Sequence, residues 1–175
     1  DSVEDMRAVS GNIGFSLCLY SGQMCTTPQN IFIPRDGIET SEGILSFDDV
    51  ASSIVKSVDW MLSDPARASE VLGAIQNPAT AERVDSAKGT VLRDSEPVAH
   101  EMFSDARTRS IKIIQLDAND SNEYENEMFG PVVYIIATDS TDQSISLASS
   151  IATQHGAISC SVYSTNQDTL DHAVD

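Results

Sequence analysis

Apolar residues in the first half of the chain recur mainly three or four positions apart, which is the spacing of one helix face. The strongest such pattern begins at Ser46, where Asp49 places an acid three residues after a candidate N-cap. Pro65 and Pro78 can each open a further helix, because proline fits the first helical turn. We therefore predict helices over residues 3–20, 46–62, 65–75 and 78 to about 88.

Five shorter apolar runs contain β-branched or aromatic residues and predict strands. The run from Val132 to Ala137 is almost continuously apolar, which indicates burial on both faces of a parallel sheet. Two more helices are expected over residues 144–153 and 168–174, so strands and helices alternate and the fold class is α/β. The predicted strands are Asn30–Pro34, Thr90–Leu92, Ile111–Leu116, Val132–Ala137 and Ala157–Tyr163.

The charge balance is strongly acidic, with 27 Asp and Glu against 10 Lys and Arg and a net charge of −17. Such a surface repels phosphate backbones, so we expect no nucleic-acid partner. No stretch approaches the roughly 18–20 apolar residues that span a bilayer. The acidic start, Asp1–Asp5, is unlike the basic start of a secretory signal. We therefore expect a cytoplasmic protein with no membrane partner.

Three cysteines, Cys18, Cys25 and Cys160, are scattered along the chain without a CxxC pair. This pattern predicts neither a disulfide framework nor a structural zinc site, and no histidine pair has zinc-protease spacing, so no metal is expected. Cys18 lies in an apolar run, and Cys160 alternates with apolar residues on one face of a predicted strand. Core packing is therefore the expected role of these two cysteines.

Cys25 has a different setting, because residues 21–28 (SGQMCTTP) predict a tight loop between a helix and a strand. Glycine lets the backbone bend there, so that nearby N–H groups can converge on one point. A cysteine at that point can attack a carbonyl carbon while an N–H group stabilises the resulting oxyanion. The alternative role for Cys25 is that of a small buried hydrophobic residue.

A second candidate segment, residues 126–132 (NEMFGPV), comes directly before the most apolar strand. Ligands of open α/β proteins bind where loops meet strand ends. The carboxylate of Glu127 can accept hydrogen bonds from ribose hydroxyls at such a place. Alternatively, Glu127 is a solvated side chain in a turn, and Phe129 fills the core.

Together, the two segments resemble the aldehyde dehydrogenase superfamily, which carries a GQ-x-C motif at its cysteine and an E-x-FGPV motif before a strand. Both motifs are present here, as GQMC and EMFGPV, in the same order and at a similar separation. The resemblance covers the whole chain and implies that family's catalytic domain, a three-layer, mostly parallel sheet flanked by helices. The run LYSGQMCTTPQNIFIPRDGI is most similar to the PaaN branch, which acts in phenylacetic acid degradation. Common members more often have Asn before the Gly-Gln, and a small residue and Arg after the cysteine.

The resemblance implies oxidation of a small-molecule aldehyde, with NAD or NADP as the cofactor. Cys25 would be the nucleophile, forming first a thiohemiacetal and then a thioester. Glu127 would bind the nicotinamide ribose, and Phe129 would pack near the nicotinamide. Within the PaaN branch, the implied substrate is a CoA-linked semialdehyde from phenylacetate ring cleavage, and water or coenzyme A releases the acyl group.

The resemblance also implies that residues 1–175 form a single cysteine-bearing domain of a larger enzyme. The family's cofactor domain, its water-activating glutamate and its oxyanion-hole asparagine precede this region, so the isolated domain is expected to be inactive. Family members assemble through a β-arm that adds to the last strand of the catalytic domain. A homo-oligomer is therefore expected for the complete enzyme, with strand Ala157–Tyr163 as its open edge.

Two other functions stay open. The chain can be a non-catalytic domain of the same fold that serves assembly or binding, with an inert Cys25. A thiol acyltransferase or cysteine hydrolase would need a histidine base, and His100, His155 and His172 occur in no motif for one.

Overall fold

The computed structural model describes residues 1–174, which contain seven α-helices and eight short strands. The helices are α1 (Met6–Cys18), α2 (Phe47–Leu62), α3 (Pro65–Val71), α4 (Pro78–Ser86), α5 (Ser121–Tyr124), α6 (Thr141–His155) and α7 (Gln167–Val174). The strands are β1 (Asn30–Pro34), β2 (Ile38–Thr40), β3 (Gly43–Leu45), β4 (Thr90–Arg93), β5 (Pro97–Val98), β6 (Thr108–Arg109), β7 (Lys112–Asp117) and β8 (Val132–Thr138).

Four strands form the central sheet, in the order β1–β8–β7–β4. Strand β8 pairs in parallel with β1 on one side and with β7 on the other, whereas β4 runs antiparallel to β7. All seven residues of β8 are buried, which its continuous apolarity had indicated. The expected mostly parallel sheet is therefore confirmed, and two small hairpins, β2–β3 and β5–β6, lie outside it.

Helices cover both faces of this sheet. Ile113 and Ile135 pack in one core cluster with side chains of α1, α2 and α3. Their sequence neighbours Ile114 and Ile136 pack in a second cluster with side chains of α4 and α5 on the opposite face. Because neighbouring strand residues point to opposite faces, the apolar runs of β7 and β8 supply both clusters. The predicted three-layer α/β arrangement is confirmed.

The helix starts follow the signals in the sequence. The Ser46 hydroxyl accepts a hydrogen bond from the Asp49 N–H at 3.2 Å, and Pro65 and Pro78 occupy the first turns of α3 and α4. Helix α3 ends at Val71, four residues before the predicted end, and Gly73 just beyond it packs against the backbone of Tyr20 and accepts a hydrogen bond from the Ser21 hydroxyl. No helix in the described chain has the length and apolarity of a membrane-spanning segment.

The predicted strand Ala157–Tyr163 is wrong. This segment has no ladder partner among residues 1–174 and is largely exposed, with Ile158 74% accessible. It is held instead by the N-terminus, where the Asp1 amino group donates to the Tyr163 carbonyl oxygen at 3.2 Å. Alternating apolar and polar residues favour a strand, but pairing with another strand is what forms one.

The predicted roles of the two outlying cysteines have opposite outcomes. Cys18 is fully buried in the core, as expected. Cys160 is exposed, so its predicted core role is wrong, and the reason is the missing strand pairing around it.

Candidate active site

The loops before β1 and β8 meet at the amino ends of these two parallel strands. Cys25, Glu127 and Phe129 lie in these loops and line one pocket with a cavity volume of about 50 Å³. All three side chains reach solvent, and Phe129 is 39% accessible. The structure therefore brings together the three candidate site residues, although they are about a hundred positions apart in the chain. Ligands of open α/β proteins usually bind at the carboxyl ends of the strands. This pocket lies at the other end of the sheet, beside the amino ends of β1 and β8.

A left-handed turn leads from α1 into the cysteine loop. Tyr20, Ser21 and Gly22 have φ angles of 52°, 56° and 65°. Non-glycine residues adopt this conformation only when surrounding contacts hold them in it. Here the Ser21 hydroxyl donates to the Gly73 carbonyl oxygen at 2.8 Å, and the Gln23 side chain donates to the Tyr20 carbonyl oxygen at 2.9 Å. These bonds hold the backbone that leads to Cys25.

Gly22 is where the cysteine loop touches the loop before β8. A Cβ atom on Gly22 would lie 2.5 Å from the Gly130 carbonyl oxygen and 3.2 Å from the Pro131 Cα. Both atoms belong to backbone, so any side chain would force the two loops apart. The glycine of the cysteine motif thus makes room for the Gly-Pro of the other motif, and this contact joins them into one site.

Gln29 links the two loops through its side-chain amide. Its Oε1 accepts from the Met128 N–H at 2.5 Å, and its Nε2 donates to the carbonyl oxygens of Asn126 at 3.1 Å and Tyr124 at 3.3 Å. Sequence reasoning missed this residue. Its signal was the departure from the family pattern after the cysteine, where Thr26–Gln29 replace the more common small residue and Arg.

Arg83, on α4, holds the other side of the Glu127 loop. Its guanidinium donates to the Phe129 carbonyl oxygen through Nε at 3.2 Å and Nη2 at 3.1 Å, and also to the Thr80 hydroxyl at 3.0 Å. Thr80 in turn packs closely on Gly130, where an added Cβ would lie 2.6 Å from the threonine methyl. An arginine on an ordinary helix gave no sequence signal for this role, since only the fold brings α4 to the loop.

The three cysteines differ in their chemical environments. Burial raises the pKa of Cys18 to about 12, so its thiol stays protonated and inert at neutral pH. Cys25 and Cys160 are both exposed, but only Cys25 lies in a pocket with other polar groups. No histidine of the described chain lines that pocket. This arrangement lacks the histidine base that a cysteine hydrolase or thiol acyltransferase would use.

Two loops thus bring a cysteine, a glutamate and an aromatic residue together at the amino ends of two parallel strands of an α/β sheet. The family model described as "Aldehyde dehydrogenase family" matches residues 1–175. The chain therefore belongs to the aldehyde dehydrogenase family.

Solved structures show the same fold. The chain is 51% identical to an NAD-dependent aldehyde dehydrogenase from Burkholderia multivorans, with a TM-score of 0.96 over 99% of this chain and 32% of that chain. It is 18% identical to a gamma-glutamyl-gamma-aminobutyraldehyde dehydrogenase from Burkholderia cenocepacia J2315, with a TM-score of 0.70 over 97% of this chain and 33% of that chain. The second likeness shows the fold alone. A comparison with curated proteins gave no match.

The chain spans about a third of the length of these two solved structures.

Proposed function

We propose that this chain is the cysteine-bearing part of an NAD-dependent aldehyde dehydrogenase, with Cys25 as the nucleophile. The observation that carries the proposal is the convergence of Cys25, Glu127 and Phe129 on one pocket. The similar protein from Burkholderia multivorans, at 51% identity, is itself named as NAD-dependent.

In this function, the Cys25 thiolate attacks the carbonyl carbon of the aldehyde and forms a thiohemiacetal. The oxygen gains negative charge as the bond forms, and the backbone N–H of Cys25 donates a hydrogen bond to it. Loss of a hydride from the same carbon leaves a thioester on Cys25. NAD, when bound, accepts that hydride. Water or coenzyme A then releases the acyl group and restores the thiol.

The pocket residues fit the nicotinamide end of such a cofactor. The Glu127 carboxylate is exposed and can accept hydrogen bonds from ribose hydroxyls, while Phe129 offers an apolar surface beside it. The Thr27 hydroxyl, also in this pocket, is buried without a hydrogen-bond partner among residues 1–174 and can bond a polar ligand atom.

The size of the pocket supports a larger enzyme. Its volume of about 50 Å³ is well below the roughly 300–1,000 Å³ of pockets that hold a whole small-molecule ligand. A dinucleotide therefore needs further protein surface. We accordingly place this chain as one domain of a longer, homo-oligomeric enzyme and expect residues 1–175 alone to show no dehydrogenase activity.

At a finer level, the proposal assigns the chain to the PaaN branch, with a CoA-linked semialdehyde from phenylacetate ring cleavage as substrate. Support comes from the residues around the nucleophile, Tyr20-Ser21 before it and Thr26–Gln29 after it, which depart from the common family pattern. A substrate screen on the full-length enzyme tests this assignment. It should favour the CoA-linked semialdehyde over small aliphatic aldehydes, and equal kcat/KM values for both classes would refute the branch.

Thiol titration tests the role of Cys25. Because Cys160 is also exposed, the experiment uses Cys160→Ser as the background and compares it with Cys25→Ser. We expect one fast-reacting thiol in the Cys160→Ser chain, assigned to Cys25 by peptide mass, and a slower thiol at Cys160 in the Cys25→Ser chain. If Cys25 reacts no faster than Cys160, the chain is better described as a non-catalytic domain of the family, used for assembly or binding.

Activity provides the second test. The full-length enzyme should reduce NAD in the presence of an aldehyde, and its Cys25→Ser variant should lose this activity while Cys160→Ser retains it. Undiminished turnover by the Cys25→Ser enzyme would rule out the proposed mechanism.

A further inference from the structure

We infer that Gln29 is a positioning residue, which fixes Glu127 relative to Cys25 by bonding the backbone on both sides of the glutamate. This inference rests on the proposed function, which assigns Glu127 to cofactor binding. It adds a residue that belongs to neither of the two family motifs found in the sequence.

The backbone around Glu127 has little support of its own. Helix α5 ends at Tyr124 and strand β8 begins at Val132. Backbone bonds hold the two ends of the segment between them, from the Glu125 N–H to the Ser121 carbonyl oxygen and from the Lys112 N–H to the Pro131 carbonyl oxygen, but residues 126–129 belong to no helix or strand. An exposed loop of this kind moves unless side chains satisfy its polar groups. The hydrogen bonds described for the backbone of residues 126–129 come from the side chains of Gln29 and Arg83.

Gln29 supplies the bonds nearest to Glu127. Its amide accepts from the N–H of Met128 and donates to the carbonyl of Asn126, which are the residues on either side of the glutamate. A glutamine amide has one acceptor and two donors, so one side chain can fix both backbone groups. Because these bonds engage the amide, Gln29 acts on Glu127 through the loop.

Gln29 itself is firmly placed by the sheet. Its carbonyl oxygen accepts from the Tyr134 N–H at 2.8 Å, where the parallel ladder between β1 and β8 begins. The next residue, Asn30, starts β1 and donates from its side chain to the Tyr124 carbonyl oxygen at 2.9 Å. Gln29 also follows Cys25 by only four positions. One residue thus ties the nucleophile, the sheet and the glutamate loop into a fixed geometry.

The test uses the full-length enzyme with Gln29→Leu, which removes the amide at similar size, and Gln29→Glu, which keeps an acceptor for the Met128 N–H. Gln154→Leu is the matched control, since Gln154 is exposed on α6 and bonds only to Ser150 among the described hydrogen-bond partners. For Gln29→Leu we expect the KM for NAD to rise about tenfold, with kcat changing less than about threefold. For Gln29→Glu the rise should be smaller, and Gln154→Leu should match the wild type.

A second measurement does not depend on activity. Hydrogen–deuterium exchange of the peptide covering residues 126–130 should be at least about tenfold faster in Gln29→Leu than in the wild type, and unchanged in Gln154→Leu. The alkylation rate of Cys25 should stay within about twofold of the wild type, which shows that the cysteine loop is still folded. If Gln29→Leu does not fold, the same comparison is made with Gln29→Glu.

The two measurements distinguish a failure of the proposed function from a failure of the positioning role of Gln29. A wild-type enzyme that does not reduce NAD with any aldehyde refutes the proposed function, while the exchange data still report on the role of Gln29. Unchanged exchange in residues 126–130 would overturn the inference. An unchanged KM for NAD in an active Gln29→Leu enzyme would overturn it as well.

Discussion

The two ends of the central sheet are stabilised by different kinds of interaction. At the amino ends of β1 and β8, hydrogen bonds from side chains to backbone and a glycine contact hold the loops, as the Gln29, Arg83 and Gly22 contacts show. At the carboxyl ends, ion pairs join the strands, and Arg35 after β1 bonds both Asp117 at the end of β7 and Asp139 after β8. A wider open pocket lies near this carboxyl end, and acidic residues such as Asp36 and Asp139 line it.

The difference shows which end can keep reactive groups in place. Hydrogen bonds to backbone at fixed distances define the position of a loop and are insensitive to salt. Exposed ion pairs contribute little and weaken as salt rises. The amino end therefore has the fixed backbone geometry that the proposed reaction requires, and Cys25 and Glu127 are exposed there. At the carboxyl end, the guanidinium of Arg35 offsets the negative charges of Asp117 and Asp139 at the strand ends.

The largest effect should come from the glycine contact at the amino end. Gly22→Ala places a methyl group against the Gly130 backbone at a φ of 65°, so the free energy of unfolding should fall by about 2–4 kcal/mol. Denaturant unfolding measures this change. The control is Gly11→Ala, because Gly11 lies in α1 and a methyl group added there would meet no atom within 4 Å, so this change should raise stability by about 0.5–1 kcal/mol. Equal effects of the two substitutions would show that the contact between the loops is not needed.

A smaller effect is expected from the arginine at the same end. Arg83→Met removes the hydrogen bonds to the Phe129 carbonyl while keeping an extended apolar side chain, and should cost about 1 kcal/mol of stability. Hydrogen exchange in residues 126–130 should also become faster. Arg107→Met is the comparison, since exposed Arg107 bonds the Gln76 carbonyl away from the site and should leave that exchange unchanged. A faster exchange in both variants would point to a general loss of stability.

The smallest effect should arise at the carboxyl end. Arg35→Leu breaks exposed ion pairs, so it should lower the melting temperature less than either change above, and the difference should shrink further in high salt. The alkylation rate of Cys25 should be the same as in the wild type. A loss of thiol reactivity in this variant would contradict the separation of the two ends.

The stability lost in Arg35→Leu should depend on pH in a defined direction. The pKa of Asp117 is lowered by the backbone N–H of Asn119 and then by Arg35. A lowered pKa in the folded state adds stability above the unfolded pKa, and this stability is lost as the pH falls through the folded value. The difference between wild type and Arg35→Leu should therefore be largest near neutral pH and should narrow below about pH 4. Thermal unfolding across this range measures it, and a difference that widens in acid would reverse the assigned sign.

Much of the fold could be predicted because its signals are local. Ser46 capped its helix, and the apolar run of β8 became the buried central strand. The segment around Cys160 gave an equally local signal and was wrong, because a strand also needs a partner that local sequence does not specify. The early end of α3 has a similar cause, since Gly73 packs against the backbone of Tyr20.

The candidate site divides in the same way. Cys25 and Glu127 could be found because they belong to short motifs, and the loops that carry them do meet. Gln29 and Arg83 could not be found in this way, because their roles come from bonds to the backbone of distant residues. Such bonds depend on how the whole chain folds. The departure from the family pattern at Thr26–Gln29 marked the segment that contains Gln29 but not its partners, and nothing in the sequence around Arg83 indicated its role.

The contact between Gly22 and Gly130 also has a consequence for the order of folding. It lies directly before the ladder between β1 and β8, which pairs residues as distant in the chain as Asn30 and Tyr134. Closing so long a loop is slow compared with forming the local helices. We therefore expect the pocket around Cys25 to form late in folding, together with the sheet. A partly folded chain would then expose the Cys25 thiol before the Glu127 loop is in place beside it.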